Sequence, residues 1–192
     1  MLGTVLLQIA KTVILSQFDK SYSLDREMLL KKYPFLDEKG AAFVTLKYDN
    51  ELRGCIGSII SHRKLLDDII YNAKAAAFSD PRFRPLESSE FEHLNLEVSV
   101  LTNPEVLEYV NYDDLVQKVR PNIDGLILKY GNNQGTFLPQ VWEQLPNAKF
   151  FLEHLSYKAG LEPSVYDRHP EIYRYRVDAI EEKFDAVSIK KE

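Results

Sequence analysis

The stretch FVTLKYDNELRGCIGSII, residues 43–60, indicates the fold of this chain. Its two ends, Phe43–Leu46 and Leu52–Ile60, are rich in residues that favour β-strands. The polar segment between them contains Asp49-Asn50, a pair that is typical of tight turns. The stretch therefore predicts a β-hairpin, and the apolar spacing that follows it predicts a helix from about Lys64 to Phe78.

A second stretch, GLILKYGNNQGTFL at residues 125–138, repeats this layout. It reads as a strand, a polar turn and a second strand, and a helix is predicted after it from about Ala148 to Ala159. Leu-Lys-Tyr occurs in both hairpins. Apolar and polar residues then alternate at 94–100 and at 173–177, which predicts one further strand after each helix.

We therefore predict an α+β fold in two lobes, in which a hairpin–helix–strand unit occurs twice, roughly at residues 43–101 and 125–177. An ancient duplication would explain such a pair, although similar small α+β units also arise independently. Apolar residues at helical spacing near the N-terminus predict an extra helix packed on these units. The whole chain, residues 1–192, is predicted to be a single domain.

The composition argues against several classes of protein, among them nucleic-acid-binding, secreted and membrane proteins. The net charge of −5 argues against non-specific nucleic-acid binding, which depends on clustered Lys and Arg. A single cysteine excludes an intramolecular disulfide and fits a reducing cytosol. The apolar run near the N-terminus is too short to span a membrane, and no positively charged segment precedes it as in a secretory signal. We therefore expect a cytoplasmic protein without a membrane partner.

Cys55 is the first candidate for chemistry. Gly54 and Gly57 flank it inside a predicted strand, where glycine marks a bulge or a close approach by another backbone or a ligand. Regular alternation predicts that Arg53 points to the same side as Cys55, about 6–7 Å away along the strand. A guanidinium near a thiol favours the reactive thiolate. The alternative is that Cys55 is a small apolar residue of the core.

Further candidates for binding lie outside this strand. The segment AAFSDPRFRPL, residues 76–86, contains two prolines that favour a rigid loop, which would present Asp80 and Arg82 to a ligand or another chain. An internal connector with its own ion pairs is the alternative. Glu97 is predicted to share the face of Arg53 and Cys55 if their strands are neighbours, and Gln140, near the only tryptophan, is a candidate for lining a pocket.

Common signatures of enzymes are absent from the sequence. It contains no phosphate-binding Walker loop, no dinucleotide-binding glycine motif, no nucleophile elbow and no zinc-protease motif. Its four histidines do not have the spacing of metal ligands. We therefore predict neither a metal nor a cofactor, and whether the protein is an enzyme stays open.

Five blocks together resemble one known family. In chain order they are LRGCIGS (52–58), AAFSDPRFRPL (76–86), LEVSVLT (96–102), GLILKYGNNQGTFLPQVWE (125–143) and FLEHLSYKAGL (151–161). Their order and spacing resemble the AMMECR domain family, whose prokaryotic members are called AmmeMemoRadiSam system protein A. The resemblance covers the chain from the N-terminal helix to about Val177.

The resemblance implies an α+β fold with a duplicated β-rich unit, but no settled activity. It implies that the protein works with a Memo-like protein and a radical S-adenosylmethionine enzyme, since similar proteins are encoded beside these two. It also marks the LRGCIG motif, and with it Cys55, as a suspected functional site. Many relatives have a cysteine where this chain has Ser156, which argues against any mechanism that needs a second thiol there.

Two functions follow as hypotheses. In the first, the protein acts in a modification pathway with these two partners, Cys55 is a thiol nucleophile or acceptor, and Arg53 keeps it as thiolate or binds an anionic group. Asp80 and Arg82 would then shape the rim of the site. In the second, the protein is a non-catalytic adaptor that docks its partners through the LRGCIG edge and the proline-rich loop.

Overall fold

The computed structural model describes residues 2–189, except for the side chain of Leu2. The helices are α1 (Leu2–Leu15), α2 (Arg26–Lys32), α3 (Leu65–Phe78), α4 (Tyr112–Lys118) and α5 (Ala148–Lys158). The strands are β1 (Lys39–Tyr48), β2 (Glu51–Gly57), β3 (Arg63–Lys64), β4 (Leu94–Leu101), β5 (Glu105–Val106), β6 (Gly125–Tyr130), β7 (Asn133–Phe137), β8 (Glu171–Tyr175) and β9 (Val177–Lys183). Short 3-10 turns connect several of them.

The chain divides into two units, each with its own antiparallel sheet. Thr102–Val177 form the second unit, and the segments before and after it form the first. The strand order of the first sheet is β2-β1-β4-β9, with β3 beside β1, and that of the second is β5-β8-β6-β7. In the first unit β4 pairs with the first strand of the hairpin β1–β2, and in the second unit β8 pairs with the first strand of the hairpin β6–β7.

The core of the first unit lies between one face of its sheet and the helices α1 and α3. Alternate residues of β1, among them Val44 and Leu46, are fully buried, as are Leu66 and Ile69 of α3. Two buried polar residues of α3 fasten the helix to β1. The Ala42 N–H donates to Asp68 Oδ2 (2.8 Å), and Asn72 Nδ2 donates to the Ala42 carbonyl (2.9 Å).

The core of the second unit forms around a pair of stacked rings. Trp142 lies parallel to Phe151, with ring centroids 3.7 Å apart, and both side chains are fully buried. The indole N–H of Trp142 donates to the Asp124 carbonyl (2.8 Å), so its one polar group is satisfied. The apolar stripe of α5 continues with Leu152 and Leu155, which the helical spacing predicts.

The α+β class, both hairpins, the two main helices and the N-terminal helix α1 are confirmed. The second strand of the first hairpin is shorter than predicted, because it ends at Gly57 and the next three residues are irregular. The single domain of residues 1–192 stays a prediction, and residues 1 and 190–192 lie outside the described part. No helix within residues 2–189 has the length and apolar character needed to cross a membrane.

Candidate functional site

Cys55 lies in β2, at the outer edge of the first sheet, and is half-buried. Its backbone groups point away from β1 toward the loop that follows α3. The Cys55 N–H donates to Asp80 Oδ2 (3.0 Å), and the Cys55 carbonyl accepts from Arg82 Nη2 (3.2 Å). An ion pair therefore occupies both backbone groups that an edge strand would otherwise leave exposed at this residue.

The ion pair between Asp80 and Arg82 is built by the loop itself. Asp80 Oδ1 accepts from the backbone N–H (3.1 Å) and Nε (3.0 Å) of Arg82, and Oδ2 accepts from Arg82 Nη2 (2.7 Å). The Asp80 side chain is buried, whereas that of Arg82 is 53% exposed. Hydrogen bonds from Arg82 outweigh burial and hold the pKa of Asp80 well below its usual range.

Arg82 is the arginine whose guanidinium contacts Cys55, through the backbone carbonyl of that residue. The hydrogen bond to Asp80 raises the pKa of Arg82 above its usual value. Arg82 therefore has the position next to Cys55 that the sequence predicted for Arg53.

The thiol also has a hydroxyl neighbour. Thr45 of β1 is the cross-strand partner of Cys55, and Thr45 Oγ1 donates to Cys55 Sγ at 3.3 Å. Because the backbone groups of Cys55 point outward, this is a non-hydrogen-bonded pair, in which opposite side chains approach most closely. A hydroxyl that donates to sulfur stabilises the charged form of a thiol.

Glu97 is opposite Thr45 on β4, so it lies in the same cross-strand row as Cys55. Its carboxylate bonds to Lys47 Nζ (3.0 Å) and accepts from Ser99 Oγ (3.1 Å). The prediction for Glu97 required that β2 and β4 be neighbours, but β1 lies between them and Thr45 separates Glu97 from Cys55. Glu97 does not bond to Arg53, whose carboxylate partner is Glu90.

Arg53 is the extra residue of a β-bulge. Leu46 pairs with Gly54 and Lys47 pairs with Leu52, so Arg53 has no cross-strand partner and regular alternation fails there. Its guanidinium forms two bonds to Glu90, from Nε to Oε1 (2.7 Å) and from Nη2 to Oε2 (3.0 Å). The prediction that Arg53 accompanies the thiol is therefore corrected.

Arg53 instead lines a surface groove of about 630 Å³. The groove is lined by Tyr48, Glu51, Leu52, Arg53, Phe83, Arg84, Ser89 and Glu90. Arg53 is only 8% exposed, and its Nη1 is the one buried side-chain nitrogen or oxygen within residues 2–189 that has no hydrogen-bond partner. The Phe83 ring lies 5.4 Å from the Arg82 guanidinium and 5.9 Å from that of Arg53, so it links the groove to the loop beside Cys55.

The two glycines of the motif accommodate the protein's own groups. A Cβ atom at Gly54 would lie 2.1 Å from the Ala76 carbonyl oxygen of α3, and one at Gly57 would lie 2.2 Å from the Phe43 ring. The predicted close approach at each glycine is present. The prediction left open whether a backbone or a ligand approaches; at Gly54 it is the backbone of α3, and at Gly57 it is the Phe43 ring.

Comparisons with known proteins place this arrangement in a family. The family model named AMMECR1 matches residues 7–180 of the chain. The chain belongs to the AMMECR1 family. A protein of Saccharolobus islandicus is 40% identical over 183 residues, which cover 91% of this chain and 78% of that protein. A protein of Methanocaldococcus jannaschii is 34% identical over 189 residues, covering 94% and 90%.

A solved structure agrees with the AMMECR1 assignment. The crystal structure of the uncharacterized protein PH0010 from Pyrococcus horikoshii superposes with a TM-score of 0.74 at 31% sequence identity. The match covers 99% of this chain and 96% of that one. The likeness therefore extends over both units of the AMMECR1-family fold.

The remaining candidates are in other environments. Gln140 is exposed on a 3-10 turn of the second unit, Pro139–Glu143. No three side chains of His, Cys, Asp or Glu within residues 2–189 come together as metal ligands do.

Thr45 and Glu90 belong to the site but were not predicted. The register of the first hairpin would have placed Thr45 beside Cys55. The spacing of Glu87 and Glu90, which form a capping box at the start of a 3-10 turn, was the signal for Glu90.

Proposed function

We propose that this AMMECR1-family protein provides Cys55 as a reactive thiol in a cytosolic modification pathway, together with a Memo-like protein and a radical S-adenosylmethionine enzyme. In the proposed step the thiolate displaces a leaving group from an electrophilic carbon of the substrate. A sulfur–carbon bond forms, the bond to the leaving group breaks with its electron pair, and the thiol proton passes to solvent. The partners are proposed from the family resemblance.

The observation that carries the proposal is the fixed backbone of Cys55. Asp80 and Arg82 bind its N–H and its carbonyl, which sets the direction of the side chain without occupying it. A cysteine that only fills space needs neither an ion pair on its backbone nor a hydroxyl that donates to its sulfur. The groove lined by Arg53 and Phe83 lies along the same loop and offers a place for substrate groups.

The adaptor function is the second candidate, and a specific observation favours it. Leu52, which begins the motif, and Ile59 and Ile60, which follow it, are 44%, 38% and 51% exposed, which suits a docking surface. Docking by addition of a partner strand to β2 is disfavoured at Cys55, because its backbone groups already have partners.

We also infer that the two hairpin–helix–strand units arose by duplication. The hairpin β1–β2, helix α3 and strand β4 occur in the same order as β6–β7, α5 and β8. In both units the last strand pairs with the first strand of the hairpin. A common origin explains why the pairing recurs as well as the order of elements.

The test of the thiol proposal is the rate of Cys55 alkylation by iodoacetamide, followed by mass spectrometry between pH 6 and 9. We expect native Cys55 to react without unfolding, and Arg82→Met to slow the reaction several-fold at pH 7, because the cation that favours the thiolate is lost. At pH 9 the two rates should converge. Arg84→Met is the matched control, since Arg84 is an exposed arginine of the same loop whose nearest carboxylate is Glu87 at 3.9 Å.

An inert Cys55 in the folded protein would contradict the thiol function. The adaptor function would then replace it if a co-expressed Memo-like protein still co-purifies with Cys55→Ser but not with a Leu52→Asp, Ile60→Asp double variant. If native Cys55 is reactive and the partner's presence slows its alkylation, both the thiol site and the partnership are supported.

A further inference from the structure

A second pocket lies in the second unit, apart from the residues discussed above. It has a volume of about 310 Å³ and is lined by Thr102, Asn103, Glu105, Arg120, Arg174, Tyr175 and Arg176. This is at the lower end of the range for small-molecule sites in proteins. Three arginines in one pocket are unexpected in a chain whose net charge is −5.

Arg120 is held rigidly at this pocket. Its Nε and Nη2 donate to Asp124 Oδ1 (3.0 and 2.6 Å), and its backbone N–H donates to Asp124 Oδ2 (2.9 Å). The Asp124 side chain is fully buried, whereas that of Arg120 remains 45% exposed. Asp124 therefore orients the guanidinium from behind and leaves its other N–H groups free for a ligand.

Arg174 and Arg176 contribute charge without a partner. Within the described residues neither side chain makes an ion pair or a hydrogen bond, although Glu105 lies opposite Arg174 on the neighbouring strand. Because arginine stays protonated at neutral pH, the pocket lining carries three positive charges, against which it contributes one acidic residue, Glu105. The pocket is therefore positive, and two of its cations are available.

A hydroxyl at the pocket is also set up to donate. The Arg176 N–H donates to Thr102 Oγ1 (2.8 Å), and the Thr102 N–H donates to the Arg176 carbonyl (2.9 Å). Thr102 Oγ1 already accepts a hydrogen bond, so its own O–H is free to donate. The exposed Asn103 amide adds further donors. The ligand that matches such a set is rich in acceptor oxygens and negatively charged.

We propose that this pocket binds the phosphate group of a small molecule. Guanidinium groups bind phosphate through paired N–H donors, and the pocket is lined by Arg120, which Asp124 holds in place, and by the unpaired Arg174 and Arg176. The volume exceeds that of a single phosphate, so the site has room for a second phosphate or a sugar. Inorganic phosphate, pyrophosphate and ribose 5-phosphate are therefore the probes that separate a free anion from a phosphorylated molecule.

The test is isothermal titration of the full chain with these three probes, with sodium sulfate as the comparison anion. We expect saturable binding of pyrophosphate or ribose 5-phosphate, tighter than that of phosphate and of sulfate. Arg174→Gln and Arg176→Gln should each weaken it about tenfold or more, the usual effect of losing one charged hydrogen bond. The control is Arg168→Gln, because Arg168 is exposed in the same unit and does not line the pocket.

Thermal unfolding of each variant without ligand shows that the fold is intact. Absence of saturable binding up to about 10 mM would overturn the proposal, since that affinity is too weak for a specific site. Equal binding of sulfate, or equal weakening by Arg168→Gln, would overturn it as well. So would a single-stranded oligonucleotide that binds more tightly through Arg174 and Arg176, because the site would then serve nucleic acid.

Discussion

Gly54 is the residue at which β2 comes closest to α3. A Cβ atom there would lie 2.1 Å from the Ala76 carbonyl oxygen, and this is a backbone atom that cannot rotate away. The glycine therefore allows the strand that carries Cys55 to pack directly on the helix. This contact fixes how closely the whole LRGCIG segment packs against α3.

We expect Gly54→Ala to lower the free energy of unfolding by about 1–3 kcal/mol, the usual cost of overpacking, because strand and helix must move apart. Cys55→Ala is the matched control in the next position. Its half-buried side chain loses one sulfur atom, and the expected cost is below about 1 kcal/mol. Urea unfolding midpoints of the two variants measure the difference. Equal midpoints would mean that β2 and α3 are not in contact here.

Arg53 and Arg82 show what the sequence could and could not predict about the site. The motif and the proline-rich loop were both recognised, and the structure joins them through the backbone of Cys55. The wrong arginine was assigned to the thiol, because the prediction assumed a regular strand. The glycines allow a bulge in this strand, but which residue is the extra one depends on the pairing with β1, which the sequence does not show.

At the scale of elements, α5 is held in the second unit by its buried face. Phe151 stacks on Trp142 at 3.7 Å and is fully buried, whereas the preceding residue, Phe150, is 57% exposed. The two phenylalanines have the same side chain and are adjacent in the helix. They differ only in how deeply they are buried. This pair allows burial to be tested separately from side-chain type.

We expect Phe151→Ala to destabilise the protein by about 3–5 kcal/mol, the range for a buried phenylalanine. Phe150→Ala should change the free energy of unfolding by no more than about 0.5 kcal/mol, as exposed positions do. Denaturant unfolding followed by tryptophan fluorescence reports on both, because Trp142 is the only tryptophan and contacts Phe151. Similar losses in the two variants would show that the buried face of α5 is misassigned.

Elements were easier to predict than the contacts between them. The stripes of α3 and α5 and the alternation in β1 repeat at fixed spacing, so burial of one face is visible in the sequence. The buried pair Asp68 and Asn72 is not visible in this way. These residues bind Ala42 of β1, about thirty positions away. The sequence of a helix does not show whether a polar residue on it has a hydrogen-bond partner so far along the chain.

At the scale of the whole molecule, carboxylates with lowered pKa values are concentrated in the first unit. Hydrogen bonds from Arg82, Arg53 and Lys47 lower the pKa of Asp80, Glu90 and Glu181 respectively, and all three belong to that unit. In the second unit the pKa of Asp114 is lowered, first by the hydrogen bond from the backbone N–H of Val110 and then by the one from Lys118. Acid should therefore affect the two units unequally.

The direction of the effect follows from proton binding. Each of these carboxylates has a lower pKa in the folded protein than in the unfolded chain, so it contributes stability that is fully present only above about pH 5.5. That stability is lost as the pH falls through the folded-state value, because the unfolded chain takes up protons first. We expect the first unit to lose hydrogen-exchange protection before the second as the pH is lowered from 6 to 3.

Amide hydrogen exchange followed by mass spectrometry measures this for peptides of each unit, after correction for the intrinsic exchange rate at each pH. In Asp80→Asn the pH dependence of protection in β2 should be smaller than in the native protein, since one titrating group is removed, although the variant is less stable at neutral pH. Asp185→Asn, at an exposed carboxylate of the same unit, is the control. If β6–β8 lose protection at the same pH as β1–β4, or earlier, the ion pairs around Cys55 do not govern the acid stability of the protein.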